Sequence, residues 1–467
     1  MQTLACARAP IRVDGQCACA GGYPRWRIIG VVLVTLLAMA PQASGTNWLM
    51  YLWDLTHSSF NPRESVINQA NVATLHPQWQ INLGQTIATG MTIVDGVAYV
   101  GDWNGNFSAL NIADGTLRWQ AFVGLTPAQP DCDPATAGVS SQAVVQGGAV
   151  YVGGGDAAVY ALDIASGALL WRVSLGDIAD GAYLWSSLML YRKALYIGIA
   201  SFGDCPLTRG GLARIDLSHP TTPLIRYFMP KGRVGAGVWS TPAIDPGSNT
   251  VLVTTGNGVQ HPRLGAFGST MLKLDAGTLA TQAYYLLPTN STVDDIEWGS
   301  SPTLVPTAEG RTLVLATAKD GRLYAQDLRD LSPVWQTTVA IGGSGPQSGE
   351  GAIATPAFDG QRVYVGAGRP PDGSSPGSLY AIDPPTGAVL WMQALDGTVL
   401  APPTVANGLV YTATLTGLHI FDAPTGELLW QDPTGTSQYG QVAVVDGVVY
   451  ATYVDGSVRA WTVDRTP

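Results

Sequence analysis

The ionisable and nucleophilic side chains of this chain are sparse, and their types narrow the chemistry open to it. Of its 467 residues only 12% are charged, and lysine occurs only at Lys193, Lys231, Lys273 and Lys319. The five histidines, His57, His76, His219, His261 and His419, show neither metal-ligand spacing nor a nucleophile motif, so an activated Ser or Cys hydrolase has no constellation behind it. The Gly-rich runs at Gly153-Gly154-Gly155 and Gly342-Gly343 follow strand-like segments with no helix after them, which argues against a phosphate cradle. The acidic stretch Asp294, Asp295 and Glu297 offers different chemistry. As a group they read as a solvated acidic loop, and Glu297 alone is the candidate whose carboxylate can accept a proton or hold a hard cation through oxygen.

The elements that must position such groups are read from an internal repeat. The signature Ala161-Leu162-Asp163, Gly167, Trp171 follows the strand-like Val150-Tyr151-Val152-Gly153. Equivalent places fall at Asn111, Asp163, Asp216, Asp275, Asp327, Asp383, Asp422 and Thr462. A period of this size marks a solenoid, array or propeller. Each repeat reads as a four-stranded meander. In the first, Met91–Val94, Val97–Gly101, Phe107–Leu110 and Thr116–Trp119 are separated by Asp95-Gly96, Asn104-Gly105 and Asp114-Gly115, which are strong hairpin signals. Trp119, Trp171, Trp335, Trp391 and Trp430 end their repeats, as expected of indoles that pack on a neighbouring blade. The last repeat runs out near Trp461, and His76-Pro77-Gln78-Trp79-Gln80-Ile81 has the form of its missing strand. The expected fold is all-β: an eight-bladed β-propeller of four-stranded antiparallel blades, closed by an N-terminal strand. The irregular third and fourth repeats leave seven blades as the competing count.

Arg25 and Arg27 precede an apolar run from Ile28 to Ala40, and Ala43, Ser44 and Gly45 follow. This is the layout of an export signal, with an uncleaved membrane anchor as the competing reading, so residues 1–45 are expected to be removed and 46–467 to form the propeller. A secreted or periplasmic location follows, with no stable membrane span after removal. Cys6, Cys17 and Cys19 lie in the export segment. Cys132 and Cys205 remain, an even count compatible with one disulfide in an oxidising compartment or with two buried free thiols. The net charge of -10 argues against nucleic acid as a partner.

The Ala-x-Asp, Gly, Trp signature after a Tyr-Val-Gly strand resembles the repeat of pyrroloquinoline quinone (PQQ) proteins, a family of quinoprotein alcohol dehydrogenases and non-catalytic propellers. Trp53-Asp54-Leu55-Thr56, Asn61-Pro62 and Asn71-Val72-Ala73-Thr74-Leu75 look like the entry of the polyvinyl alcohol dehydrogenase branch. The resemblance implies a site. Val238-Trp239-Ser240-Thr241-Pro242 matches the strand whose Trp lies beneath the quinone, and Thr255-Gly256-Asn257 the element whose Asn binds calcium. Asp295-Ile296-Glu297-Trp298-Gly299-Ser300 resembles the segment of the catalytic carboxylate, with Glu297 as base and calcium ligand. Lys319, in Ala318-Lys319-Asp320-Gly321, takes the place of the basic residue on the quinone oxygens. Asp204 lies where a calcium-binding Glu is usual. Cys132 resembles half of a quinone-capping cysteine pair, with Cys205 as an alternative bridge partner.

The resemblance thus implies PQQ and Ca²⁺ as cofactors, an alcohol as substrate and an external electron acceptor. No Cys-x-x-Cys-His occurs to attach a haem. The alternative is a non-catalytic PQQ-like scaffold for a protein or polysaccharide partner, since one such fold hosts both.

Overall fold

The computed structural model describes residues 46–127, 132, 134–204, 206–288 and 295–464, so the export segment read at 1–45 lies outside the described residues. Asp-Gly and Asn-Gly turns set the local structure. Asp95 and Gly96 take φ of 49° and 81°, and Asn407 and Gly408 take 47° and 77°. These left-handed pairs reverse the chain within two residues and match the twist of the flanking strands. Short strands follow one another in this way and pair antiparallel into eight blades, each mostly four-stranded. Blade 1 is Thr92–Val94, Val97–Gly101, Asn106–Asn111 and Leu117–Phe122. Blade 8 is Ala443–Val445, Val448–Thr452 and Ser457–Thr462, and its outermost strand is His76–Asn82, antiparallel to Ser457–Thr462. Irregularity in the third and fourth repeats takes the form of additions. Blade 3 gains the short strand Ala182–Tyr183, and blade 4 carries a two-stranded ribbon, Gln260–His261 with Ala266–Phe267. Among the described residues no helix is long and apolar enough to cross a membrane.

Burial follows the distance from the axis. Val97–Gly101 is buried throughout, whereas in Leu117–Phe122 only Trp119 is fully buried. The recurring Gly and Trp of the repeat turn out to serve neighbouring blades. The indole Nε1 of Trp119 donates to Ile164 O at 3.0 Å, and a Cβ on Gly167 would lie 2.5 Å from Trp119 Cε3. Trp79 meets Ile112 O and Gly115 in the same way, Trp335 meets Pro384 O and Gly387, and Trp391 meets Ala423 O and Gly426. Each indole thus lies flat on the turn of the following blade, where only a residue without Cβ leaves room. Gly167 also has φ of 71°. Gly167→Ala is therefore expected to lower unfolding stability by about 1–3 kcal/mol, through backbone strain and overpacking together. A urea midpoint equal to that of the wild type would contradict this docking.

The segment before blade 1 closes one end of the bore, a role its composition did not announce. Trp48 bridges Ile93 of blade 1, and Leu52 N donates to Gln441 Oε1 of blade 8. Leu55, Thr56, Ser58 and Ser59 then offer their carbonyls in turn to Ile244, Leu304, Phe358 and Val405, the inner strands of blades 4 to 7. Phe60–Asn61 ends the run as a parallel strand on Val405–Ala406. Following a curved line of strand edges demands unusual backbone, and Leu52, Trp53, His57 and Ser59 all have positive φ.

His57 is buried within this strap, its Nδ1 2.8 Å from Pro302 O. Burial holds its pKa down at about 4, against the smaller opposing effects of Pro302 and Asp54. The unfolded chain takes up a proton at about pH 6.5 that the folded chain refuses until about pH 4. Stability is therefore complete above the first value and lost as pH falls through the second, by about 3 kcal/mol in all. His57→Gln should flatten this acid limb of a urea-midpoint profile; parallel profiles would remove His57 from the account.

Candidate functional site

Hydroxyl side chains stitch the inner ends of successive blades together. Gln142 N donates to Ser187 Oγ, Ser187 N to Thr241 Oγ1, Thr241 N to Ser301 Oγ and Ser301 N to Thr355 Oγ1, all between 2.8 and 3.1 Å. These residues hold equivalent places in blades 2 to 6. Two residues earlier in each repeat the side chain turns to the axis and forms a collar. Ala88, Trp185, Trp239, Ile353, Leu400 and Tyr439 stand there half-buried, and Ser140 and Gly299 complete the set. The collar surrounds a cavity of about 910 Å³, in the range of cofactor and ligand sites. On the strap side, Tyr51 lines it, with its hydroxyl 3.4 Å from Thr355 Oγ1.

Asp295 and Glu297 of the acidic stretch enter this cavity by alternation of side chains in an extended segment. Ile296 and Trp298 pack into the core of blades 4 and 5, so Asp295 and Glu297 face the opposite way and line the cavity. Trp298 also bridges Ala318, and Lys319 N donates to Glu297 O at 3.0 Å. That local pairing brings Lys319 to the carboxylates despite their separation in sequence. Its Nζ lies 2.6 Å from Glu297 Oε1 and 2.6 Å from Asp295 Oδ2. Asn257 arrives from blade 4. Its backbone N–H donates to Glu297 Oε2 at 2.8 Å, and its side-chain amide donates to Asp295 Oδ1. Gly256 makes the approach possible, because a Cβ there would strike Glu297 Oε2 and come within 3.3 Å of Trp239 Nε1.

Burial pushes the Glu297 carboxyl above the usual carboxylate range, and the neighbouring Lys319 cancels only part of that rise. Burial alone would lower the Lys319 ammonium, but Glu297 and Asp295 outweigh it and hold its pKa above the ordinary lysine value. The lysine therefore stays charged, and two carboxylates around one ammonium leave one negative charge in excess.

Of the residues singled out from sequence, Trp239, Asn257, Glu297 and Lys319 meet at one cavity. Asp204 lines the same cavity on a loop with φ of 57°, exposed, and makes no hydrogen bond or ion pair with them. Cys132 is buried against Ala137, Tyr183 and Phe202, beneath Trp103 and Trp185, while Cys205 lies outside the described residues. Asp295 was missed as a site residue. The Asp-Ile-Glu-Trp alternation was the signal that pairs it with Glu297.

The donor chemistry fits a hard cation in part. Glu297, Asp295 and Asn257 offer oxygens and a net negative charge, but among the described residues no three His, Cys, Asp or Glu side chains form a ready-made cage. For a flat polyanionic quinone the cavity supplies the Trp239 indole and sufficient volume. Lys319, the one cationic side chain lining it among the described residues, is already held by Glu297 and Asp295, so the lining is net negative and suits the quinone only together with a cation.

Fold and cavity together define a propeller whose axial cavity gathers charged and aromatic side chains. A family model described as outer membrane protein assembly factor BamB, of the PQQ-repeat class, matches residues 67–183 and 319–465, more than half of the chain. The chain belongs to this PQQ-repeat propeller family. It is 25% identical over 389 residues to the polyvinylalcohol dehydrogenase of a Pseudomonas species, a match covering 72% of this chain and 57% of that protein. It is 26% identical over 286 residues to the quinoprotein ethanol dehydrogenase of Pseudomonas putida, covering 49% and 45%. The chain thus spans about half the length of these curated relatives. Among solved structures, the quinohemoprotein alcohol dehydrogenase from Comamonas testosteroni matches with a TM-score of 0.70 at 19% identity, over 90% of this chain and 81% of that one. At that identity the likeness is one of fold.

Proposed function

We propose that this chain is the propeller of a secreted or periplasmic quinoprotein alcohol dehydrogenase that passes electrons to an external acceptor. The observation that carries the reading is the cluster of Glu297, Asp295, Lys319 and Asn257 beside Trp239 in the axial cavity. The names of the relatives, alcohol dehydrogenases of quinone type among them, support it. When bound, PQQ with Ca²⁺ supplies the hydride acceptor and the Lewis acid.

The chain's own residues do the rest. Trp239 presents a flat face for a planar ring, and Lys319 Nζ offers its charge to quinone oxygens. Asn257 Oδ1 and a Glu297 oxygen would hold the cation, and Asp204 is proposed as a further ligand from the cavity edge. Glu297 takes the alcohol's hydroxyl proton on its carboxylate. A Cys132–Cys205 bridge would tie the cavity edge near Trp185. Its support is the burial of Cys132, whose Sγ lies 4.0 Å from Phe202 O, three residues before Cys205.

The description of the matching family model favours the scaffold reading as a second possibility. One experiment separates them. Purified protein is incubated with PQQ and Ca²⁺, freed of excess, and assayed for retained quinone and for dye reduction with primary and secondary alcohols. Retained quinone with turnover is expected; neither would leave the scaffold.

A further inference from the structure

One exposed region reverses the charge of the rest of the chain. Residues 217–244 and 246–274 hold no Asp or Glu, although the chain carries 34 acidic residues against 24 basic ones. Within them two turns stand side by side at the border of blades 3 and 4. The first, Pro230-Lys231-Gly232-Arg233, is closed by Arg233 N donating to Pro230 O at 3.1 Å. The second, Pro262–Leu264, caps the ribbon added to blade 4, with Gly265 left-handed at φ of 74°. Backbone bonds fix them together: Phe267 N donates to Phe228 O at 2.9 Å, and Ala236 N to Asn257 O at 2.6 Å. Phe228, Met229, Ala266 and Phe267 anchor both turns in one buried cluster.

Above this base the side chains are left to solvent. Val234, Val259 and Leu264 are 51%, 58% and 67% exposed, and Lys231, Arg233 and Arg263 are exposed beside them. Among the described residues no carboxylate pairs with these three cations, whereas Arg172, Arg311, Arg322, Arg329 and Arg459 each hold an aspartate elsewhere. Aliphatic tips between unpaired cations match a bilayer with anionic headgroups, where the cations meet phosphate and the tips enter the acyl boundary. A folded partner would need a complementary mould for each separate tip, but a fluid bilayer conforms to them.

We propose that these two turns, with Val234 and Val259, dock peripherally on an anionic phospholipid surface. Asn257, which lines the axial cavity, lies two residues before Val259, so the docked face adjoins the cavity. The docking needs no quinone and is independent of the dehydrogenase reading.

The test is amide hydrogen exchange of the full chain, read by mass spectrometry with and without vesicles of mixed phosphatidylglycerol and phosphatidylcholine. Reading exchange segment by segment separates the patch from the apolar run Ile28 to Ala40, which can enter a bilayer by itself. Exchange at 230–235 and 258–265 is expected to slow with the anionic vesicles and not with phosphatidylcholine alone. The degree of slowing measures how much of the patch is docked. It should fall about 5-fold for each of Lys231→Gln, Arg233→Gln and Arg263→Gln, and vanish in the triple variant. Leu264→Ser should lower it by a similar factor of about 5. Arg118→Gln and Leu169→Ser, exposed on the outer strands of blades 1 and 2, should leave it intact. Unchanged exchange at both turns overturns the proposal, as does equal slowing by phosphatidylcholine alone. So does slowing that survives the triple variant or is lost in Arg118→Gln or Leu169→Ser. Slowing by poly-L-glutamate with none by vesicles overturns it too, and assigns the patch to an acidic polypeptide.

Discussion

Glu297→Gln in the quinone- and calcium-loaded protein is expected to lower kcat for alcohol oxidation by about 10²- to 10⁴-fold, the range lost when a general base is removed. The amide keeps the shape of the side chain and can still accept the Asn257 N–H that now bonds Glu297 Oε2. It cannot take up a proton at neutral pH. Asp295 remains to hold Lys319, so retained quinone should fall far less than turnover. Glu297→Asp gives an independent check. Shortening the side chain by one methylene keeps the charge but withdraws it by about 1 Å, a displacement that costs on the order of 100-fold in rate. Turnover in Glu297→Gln close to that of the wild type would transfer the base to another group. Asp295, the other carboxylate on the same ammonium, would be the next to replace by Asn.

The second large effect concerns the same cluster and reads out stability. Lys319 Nζ is mostly buried and bridges two carboxylates at 2.6 Å. Lys319→Met leaves both negative charges facing each other with the cation gone, a change expected to cost about 3–5 kcal/mol. The pH dependence has a defined sign. Without the ammonium the folded-state pKa of Glu297 rises further, since Lys319 is what now restrains it. A group whose pKa is raised on folding keeps its stability at low pH and loses it as pH rises through the folded value. The deficit of Lys319→Met should therefore be largest at pH 8 and shrink towards pH 5 in urea unfolding. Adding Glu297→Gln to the variant should recover part of it. A deficit independent of pH would mean that the lysine contributes packing and not charge.

These outcomes bear on how far the chain could be read without coordinates. Repetition was legible because each hairpin is local: Asp-Gly pairs such as Asp95-Gly96 impose their own reversal, and alternating apolar residues between them select strands. The same locality made Trp239, Asn257, Glu297 and Lys319 recognisable, since each sits in a short segment whose neighbours carry the resemblance. Their meeting is also partly local, because Trp298 pairs with Ala318 within a single blade.

What sequence alone determined, then, was the blade, its number of copies and the short segments that carry the candidate chemistry. Contacts between blades required the tertiary structure. The Gly of each signature stands beside the Trp that follows it in sequence, yet Gly167 receives Trp119 from the preceding blade, a pairing no single repeat can encode. The strap from Trp48 to Asn61 carries no period at all, because its carbonyls answer the edges of four inner strands in succession rather than a face of its own. Asp204 illustrates the same limit from the other side. Its segment brings it to the cavity, but a loop backbone with φ of 57° decides where its carboxylate stands. The physical reason is common to all three. Hydrogen bonds along a hairpin are specified by adjacent residues, whereas the partners across an axis are chosen only when the ring is assembled.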